Sequence, residues 1–167
     1  MSSQYQLDEM DRIILSRLVK DARTPYLEIA RDCGVSGAAI HQRVKKLEDA
    51  GIIVGSTTQV KPAAMGYQLC AFINLNLSEN NKYPEVTAAL KKIPEIVECH
   101  FITGRFTMLV KLYCTDNAHL MDIVLKKIQN IPYVQSTETI ISLDEAFERQ
   151  VWVRSDESKK RKSGGKQ

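Results

Sequence analysis

The segment from Thr24 to Gly51 constrains the fold more than any other part of the chain, because it reads as two short helices joined by a tight turn. Thr24 suits a helix N-cap, and Pro25 suits the first helical position, where its missing N–H is no loss. Gly34 accepts the positive φ that ends a helix, and Ser36 is placed to cap a second helix two residues later. We predict that this second helix ends at Gly51. Two helices joined at this spacing form a helix-turn-helix.

Each predicted helix of the pair has one apolar side. The first has a small apolar face made by Leu27, Ala30 and Cys33. The apolar positions of the second repeat at i, i+4 and i+7, and they are Ile40, Val44 and Leu47. This spacing is that of a single buried stripe on a helix.

The remaining face of the second helix is polar and basic, and it carries His41, Gln42, Arg43, Lys45 and Lys46. In a DNA-binding helix-turn-helix, the second helix enters the major groove and its first residues reach base edges. Arginine and glutamine donate to bases, whereas lysine binds phosphates. The predicted DNA-binding residues are therefore Ser36, Gly37, Ala38, His41, Gln42, Arg43, Lys45 and Lys46. The residues alone leave one alternative open, an αα-hairpin in which these charges form only a solvated face.

A third helix and a candidate strand flank the pair. Leu7 to Lys20 is predicted to be a helix, with an acidic first turn that suits the positive end of the helix dipole. Its apolar side carries Met10, Ile13, Ile14 and Leu18. The segment from Ile52 to Val60 is rich in β-branched residues and stops before Pro62, so we expect a strand that forms a wing or a linker.

Composition excludes several classes of protein. The chain has 167 residues, of which 44% are hydrophobic and 26% charged, as in an ordinary globular protein. It has no apolar stretch of the ~20 residues that a membrane helix needs, and its N-terminus lacks the form of a signal peptide, so we expect a cytoplasmic protein. Its predicted DNA binding would make it nucleoid-associated. The four cysteines and three histidines are scattered, which predicts no metal site and no catalytic site.

Most of the positive charge lies at the C-terminus. Residues 1–62 have a net charge of +1, residues 63–153 of −2, and residues 154–167 of +4. The last segment has no apolar residue to bury, so we predict a disordered basic tail. This tail either attracts phosphates independently of sequence or is a plain solvated terminus. Because the first segment has so little net charge, a single copy is predicted to bind DNA weakly, and dimerisation would strengthen the binding.

The second half of the chain alternates strands with helices. Strands are predicted at Ala71 to Leu77, Val97 to Thr103, Met108 to Tyr113 and Val134 to Ile141. Helices carrying Val86, Leu90 and Ile93, and then Leu120, Ile123, Val124 and Ile128, fall after the first and third strands, and Asp116 suits the cap of the second helix. The order βαββαβ predicts a ferredoxin-like split sheet with helices on one face. Because the other face would be bare, we expect this domain to associate with a copy of itself.

Two polar segments of this half are candidates for binding a ligand. Thr103, Gly104, Arg105, Phe106 and Thr107 form a turn in which the glycine lets backbone N–H groups approach a ligand and Arg105 can meet a carboxylate. Gln135, Ser136 and Thr137 begin a strand that is polar on both faces. Taken separately, the two segments are better explained as an ordinary hairpin turn and an ordinary edge strand than as ligand sites. Strands two and four lie on opposite edges of a split βαβ sheet, so we expect the segments to meet only between copies.

An ordered set of short motifs identifies a family. The helix-turn-helix contains Ala22-Arg23-Thr24 and Gly34-Val35-Ser36, and after it come Ala50-Gly51-Ile52-Ile53, Met65-Gly66-Tyr67, Thr103-Gly104-Arg105-Phe106 and Gln135-Ser136-Thr137-Glu138-Thr139. This set closely resembles the Lrp/AsnC (feast/famine) family of prokaryotic transcription regulators, from about Leu7 to about Ala146. Within the family, Lys126-Lys127-Ile128-Gln129 with the polar strand is most similar to the asparagine-responsive AsnC branch.

The resemblance implies a DNA-binding domain joined to an effector-sensing domain. It further implies dimers formed through the sheets of the second domain, octamers built from these dimers, and a small amino acid bound between dimers. Position by position, it implies that the effector contacts Thr103 to Thr107 and Gln135 to Thr137. Many leucine-responsive members have an acidic residue where this chain has Thr107, so asparagine and other amino acids both remain candidate effectors.

We therefore predict an α+β protein with a helix-turn-helix domain and linker strand at 1–62, a ferredoxin-like sensing and oligomerisation domain at 63–153, and a basic tail at 154–167. Its predicted function is sequence-specific transcription regulation modulated by an amino acid, with no cofactor and no enzymatic activity. The first alternative is an architectural DNA-wrapping protein without an effector. The second is a regulatory module of a metabolic enzyme, against which stands the absence of any acid, base or nucleophile cluster in the sequence.

Overall fold

The computed structural model describes residues 5–154 and divides them into two compact units. The first consists of residues 5–58 together with 148–154, and the second of residues 59–147. The boundary thus lies four residues before the expected one at 62, and the segment from Glu148 returns to the first unit. Val153 packs against the apolar core of that unit, and the Arg12 guanidinium donates to the carbonyl of Arg154. The tail expected at 154–167 lies outside the described residues, apart from Arg154.

The first unit consists of three helices, which are α1 (Glu9–Lys20), α2 (Tyr26–Cys33) and α3 (Gly37–Asp49). Seven buried residues form its core, and they are Ile14, Leu15, Ile29, Ala30, Ile40, Val44 and Leu47. The predicted stripe on α3 is confirmed, since all three of its residues are buried. A φ of 66° at Gly34 and the capping of the Ala39 amide by Ser36 also confirm the predicted turn.

The start of α2 differs from the prediction. Pro25 is the N-cap, and the Thr24 hydroxyl donates to the Asp21 carbonyl instead of capping a helix. The predicted apolar face of α2 is also partly wrong, because Ile29 is fully buried whereas Leu27 is 65% exposed. The reason is that α2 presents Ile29 and Ala30 to the core, which rotates Leu27 outward.

The expected strand from Ile52 to Val60 is absent from the described chain. The amides of Ile52 and Ile53 donate to the Leu47 carbonyl at 2.9 and 3.1 Å, so they close the end of α3 and are not available to a neighbouring strand. Val54 and Val60 are exposed. Despite its β-branched composition, this segment therefore forms neither a wing nor a paired strand.

The second unit has the predicted βαββαβ order. Its elements are β1 (Leu69–Leu77), α4 (Tyr83–Leu90), β2 (Ile96–Phe101), β3 (Met108–Cys114), α5 (Asn117–Asp122), which continues as a π-helix (Ile123–Ile128), and β4 (Val134–Ser142). Short 3-10 helices span Pro62–Met65 and Asn80–Lys82. The strands form one sheet in the order β2-β3-β1-β4, and every neighbouring pair is antiparallel.

The core of the second unit lies between one face of this sheet and the helices. Ala71, Ile73, Leu75 and Leu77 alternate toward it from β1, as the sequence pattern predicts. The helical residues that cover them are Val86, Leu90, Leu120, Ile123, Val124 and Ile128. No helix among residues 5–154 is long and apolar enough to cross a membrane.

Candidate DNA-binding and ligand-binding sites

The predicted DNA-binding surface lies mostly on the solvent side of α3. Its exposed members are Ser36, Ala38, His41, Gln42, Lys45 and Lys46, whereas Gly37 is half-buried. Ser36 caps the Ala39 amide at 3.2 Å, which fixes the first turn of the helix. The His41 ring meets the ring of Tyr26 edge-on at 4.9 Å between centroids, so α2 holds this base-reading candidate in place.

Arg43 is the exception, and the expectation that it faces outward is wrong. Its guanidinium pairs with the carboxylates of Asp8 and Asp11, and its Nη1 lies 2.9 Å from Asp11 Oδ1. The reason is helical geometry. Residue 43 is three positions after Ile40 and four before Leu47, so it flanks the buried stripe and points toward α1.

The partners of Arg43 form a compact polar network at the start of α1. Asp8 and Asp11 build a reciprocal capping box, in which each side chain accepts the other's backbone N–H, at 2.8 and 3.1 Å. The Tyr5 hydroxyl donates to Asp11, whose side chain is only 1% exposed. Burial acts to raise the pKa of Asp8, but the Asp11 amide and Arg43 outweigh it and hold that pKa below its usual value. Hydrogen bonds to the two carboxylates likewise raise the pKa of Arg43.

Leu27 is a residue of this surface that sequence reasoning placed in the core. It extends over Gly37, the first residue of α3. A Cβ added at Gly37 would lie only 2.8 Å from the Leu27 Cδ2. A side chain at position 37 would therefore push the end of the exposed Leu27 side chain aside. The signal in the sequence is that Ile29, Ala30 and Cys33 already complete the buried face of α2, which leaves Leu27 without a place in it.

In the second unit, the candidate turn from Thr103 to Thr107 joins β2 to β3. The turn is closed by the Ile102 amide, which donates to the Thr107 carbonyl at 2.9 Å. Gly104 has a φ of 116° and open space around it, so its backbone is accessible and a side chain there would be strained. Arg105 is exposed, and its guanidinium also lies over the Phe106 ring at 5.1 Å.

The polar strand has an irregular register at its start. Asn76 pairs with Ser136 but Leu77 pairs with Val134, so Gln135 is an extra residue in β4. Such a bulge bends a strand and redirects its side chains. The Ser136 hydroxyl accepts a hydrogen bond from Asn76 Nδ2 at 3.3 Å, and the Thr137 hydroxyl accepts one from Gln129 Nε2 at 2.8 Å.

The expectation that the turn and the polar strand meet only between copies is wrong for this sheet. β2 and β4 do lie on opposite edges, but the turn leads into β3, which is the neighbour of β1. The Thr107 amide donates to the Leu75 carbonyl, and Leu75 pairs with Thr137 on its other side. Arg105 Nη2 and Glu138 Oε2 lie 4.0 Å apart within one chain. A single protomer therefore brings both segments to the same end of its sheet.

Further residues at this end of the sheet were not predicted. The Thr107 hydroxyl lies 3.3 Å from Asn80 Oδ1. Tyr133 has a φ of 72°, the one positive φ among the non-glycine residues of the described chain, and Lys82 Nζ lies 5.1 Å from the centre of its ring. Strained backbone of this kind concentrates at functional sites. The sequence contains no signal for it, because tyrosine does not favour that conformation.

The sheet face opposite the helices is mixed in character. Phe72, Leu109 and Ile140 provide its apolar surface. Between them, the Lys111 side chain is only 12% exposed and has two carboxylates within 3.7 Å, from Glu98 and Glu145. The expected bare apolar face is therefore interrupted by a charged lysine that is paired with two carboxylates.

Residues 5–154 contain no cluster of three or more side chains suited to a metal ion. The four cysteines are free thiols. Burial raises the pKa of Cys114 to about 11, so that thiol stays protonated and unreactive at neutral pH.

These two units define a class of protein, a helix-turn-helix regulator joined to a ferredoxin-like ligand-binding domain. Residues 7–48 match the AsnC-type helix-turn-helix domain, and residues 70–152 match the Lrp/AsnC ligand binding domain. The regulatory protein AsnC of Escherichia coli (strain K12) is 38% identical over 147 residues, which cover 88% of this chain and 97% of that protein. The chain belongs to the Lrp/AsnC family of transcription regulators.

Solved structures agree with this assignment. The structure of E. coli AsnC matches with a TM-score of 0.82 and 38% identity, over 88% of this chain and 99% of that one. A transcriptional regulator of Neisseria meningitidis in complex with L-Met matches with a TM-score of 0.80 and 26% identity, over 86% of this chain and 94% of the other. The relatives are named as regulatory proteins, in agreement with the expectation that the chain is not an enzyme.

Proposed function

We propose that this protein is a sequence-specific DNA-binding regulator whose DNA affinity or assembly changes when a small amino acid binds its second unit. The observation that carries the DNA-binding half is the exposed face of α3, where His41 and Gln42 offer base-reading groups and Lys45 and Lys46 offer cations for phosphates. These side chains begin one turn after the capped N-terminus, which is the part of a recognition helix that reaches base edges.

The effector half rests on the end of the sheet where the turn and the polar strand converge. Arg105 offers a cation for a carboxylate and Glu138 an anion for an ammonium, 4.0 Å apart, which matches the charges of a free amino acid. The open backbone at Gly104 and the hydroxyl of Ser136 add polar partners. One related regulator is solved with L-Met. The resemblance of the sequence to the asparagine-responsive AsnC branch makes asparagine the first amino acid to test.

We further propose a homodimer as the smallest active unit, formed through the open sheet face, with an octamer as the larger assembly. Phe72, Leu109 and Ile140 supply apolar area on that face, and a dimer presents two recognition helices to half-sites about one helical turn apart. Light scattering at micromolar concentration tests this directly. A monomer would contradict the proposal.

The effector is sought first by thermal shift against each free amino acid, because a ligand that binds only the folded state raises the melting temperature. Binding is then measured by calorimetry on Gly104→Val, which fills the open backbone of the turn. The matched control is Gly66→Val, since Gly66 also has a positive φ with open space and lies outside the site. We expect Gly104→Val to lose amino-acid binding and Gly66→Val to retain it. Retained binding in Gly104→Val would contradict the placement of the site.

The architectural alternative makes a different prediction in the same experiments. A DNA-wrapping protein without an effector would bind DNA and oligomerise, but no amino acid would change its melting temperature or its DNA affinity. Titrating promoter DNA by fluorescence anisotropy, with and without the amino acid found in the screen, therefore separates the two functions.

A further inference from the structure

We propose that Leu27 reads the 5-methyl group of thymine beside the first turn of α3, and thereby sets part of the DNA sequence preference. The inference deepens the proposed DNA-binding function and rests on it. It starts from an unusual exposure: 65% of this large aliphatic side chain is open to solvent, although it lies in the second residue of a short helix that packs on the core.

The position of Leu27 ties it to the recognition helix. Its Cδ2 lies so close to Gly37 that a Cβ there would be 2.8 Å away. Gly37 is the first residue of α3, and exposed Ala38 follows it. Leu27, Gly37 and Ala38 thus form an uncharged, apolar patch at the end of α3 that reaches base edges, next to the polar side chains of His41 and Gln42.

The chemistry of the major groove leaves one occupant for an apolar patch. Hydrogen-bond donors and acceptors line the base edges there, and the thymine methyl is the one apolar group among them. Covering a methyl with Leu27 removes apolar surface from water on both sides. Burial of a group of that size contributes ~0.8 kcal/mol, which corresponds to about a fourfold change in affinity.

The test uses DNA in which only the methyl is removed. The full-length protein first selects a duplex from a random-sequence pool, and each thymine of that duplex is then replaced in turn by deoxyuridine. For at least one position we expect the affinity of the unchanged protein to fall about fourfold. For Leu27→Ala we expect no further loss at that same position, so that the two changes are strongly coupled in a double-mutant cycle.

Three variants serve as controls. Leu27→Met keeps an apolar side chain of similar size and should keep the preference for thymine. Gly37→Ala changes no charge but displaces the leucine, so it should weaken the preference. Val19→Ala removes another partly exposed aliphatic side chain of the first unit, on α1, and should leave the preference unchanged. Circular dichroism checks that each variant is folded.

The outcomes separate this inference from the proposed function. An enriched duplex that shows no loss with deoxyuridine at any position would overturn the role of Leu27 and leave sequence-specific binding intact. The role of Leu27 would also be overturned if deoxyuridine lowered the affinity of Leu27→Ala by the same factor as that of the unchanged protein. If the selection enriches no sequence, sequence-specific binding itself fails, and the role of Leu27 fails with it.

Discussion

Replacing Arg43 by glutamine should destabilise the first unit without removing a DNA contact. The side chain of Asp11 is 1% exposed and would lose a charged partner at 2.9 Å. Breaking a buried ion pair costs about 3–5 kcal/mol when one charge is left uncompensated. Asp11 keeps hydrogen bonds from the Asp8 amide and the Tyr5 hydroxyl, which lowers the cost. The pair with Asp8, which is half exposed, adds roughly 0–1 kcal/mol.

We therefore expect a loss of about 2 kcal/mol in the free energy of unfolding of the first unit. For a unit of roughly 60 residues, this corresponds to a melting temperature lower by roughly 10 °C. The measurement is the loss of helical circular dichroism on heating the full chain. Lys45→Gln is the matched control, because Lys45 is an exposed cation on the same helix and its loss should leave the melting temperature nearly unchanged.

The salt dependence of DNA binding distinguishes the two variants a second time. Loss of one phosphate contact lowers the slope of log K against log salt by about 0.9. We expect this for Lys45→Gln but not for folded Arg43→Gln at a temperature well below its melting point. A normal melting temperature together with a lowered slope in Arg43→Gln would refute the assignment of Arg43 to the α1 network and restore it to the DNA-binding surface.

The same network predicts a pH dependence with a definite sign. Because the folded protein holds the pKa of Asp8 below its usual value, this carboxylate stabilises the fold above the unfolded pKa. The stabilisation is lost as the pH falls through the folded pKa. Since Arg43 contributes to the lowered pKa, Arg43→Gln should show a smaller acid-induced loss of stability than the unchanged protein. An equal loss would contradict this coupling.

Two other predictions concern single sites. Ser36→Ala removes the cap of the Ala39 amide and should lower the free energy of unfolding by ~1 kcal/mol, measured by urea denaturation, and Ser36→Asp should restore it. Burial acts to raise the pKa of Glu95, but Lys127 and His119, which contact its Oε1 at 3.0 and 3.2 Å, help to hold that pKa below its usual value. The second unit should therefore lose stability as the pH drops through the folded pKa of Glu95. In an acid titration followed by circular dichroism, Glu95→Gln should remove the part of the stability loss that is due to Glu95. An unchanged titration would show that another group is responsible.

Local patterns were sufficient for much of the fold. The stripe of Ile40, Val44 and Leu47 has the period of a helix, and the alternation along Ala71 to Leu77 has the period of a strand. Each pattern therefore predicts the conformation of its own segment. Ser36 and Gly34 act within a few residues of their own positions, as caps do. Such features need no knowledge of which elements pack together.

The errors concern residues whose neighbours lie far along the chain. Ile52 to Val60 has strand composition, but a strand also needs a partner, and the described chain offers none to this segment. Leu27 satisfies a helical spacing as well as Ile29 does, and only the packing of the three helices decides which one is buried. The sequence predicts Arg43 as one more cation on a basic face, and only the packing of α1 beside α3 shows its pairing with Asp11.

By itself, the sequence determined the helix-turn-helix, the βαββαβ order and the family, because caps, periodicities and ordered motifs are local properties of the chain. The tertiary structure decided that Arg43 pairs with α1 and that Leu27 faces solvent. It also decided that the turn at Gly104 and the strand at Gln135 flank the same end of β1. The physical reason is that charge neutralisation, burial and strand adjacency depend on distances between residues remote in sequence, and only the packed chain sets those distances.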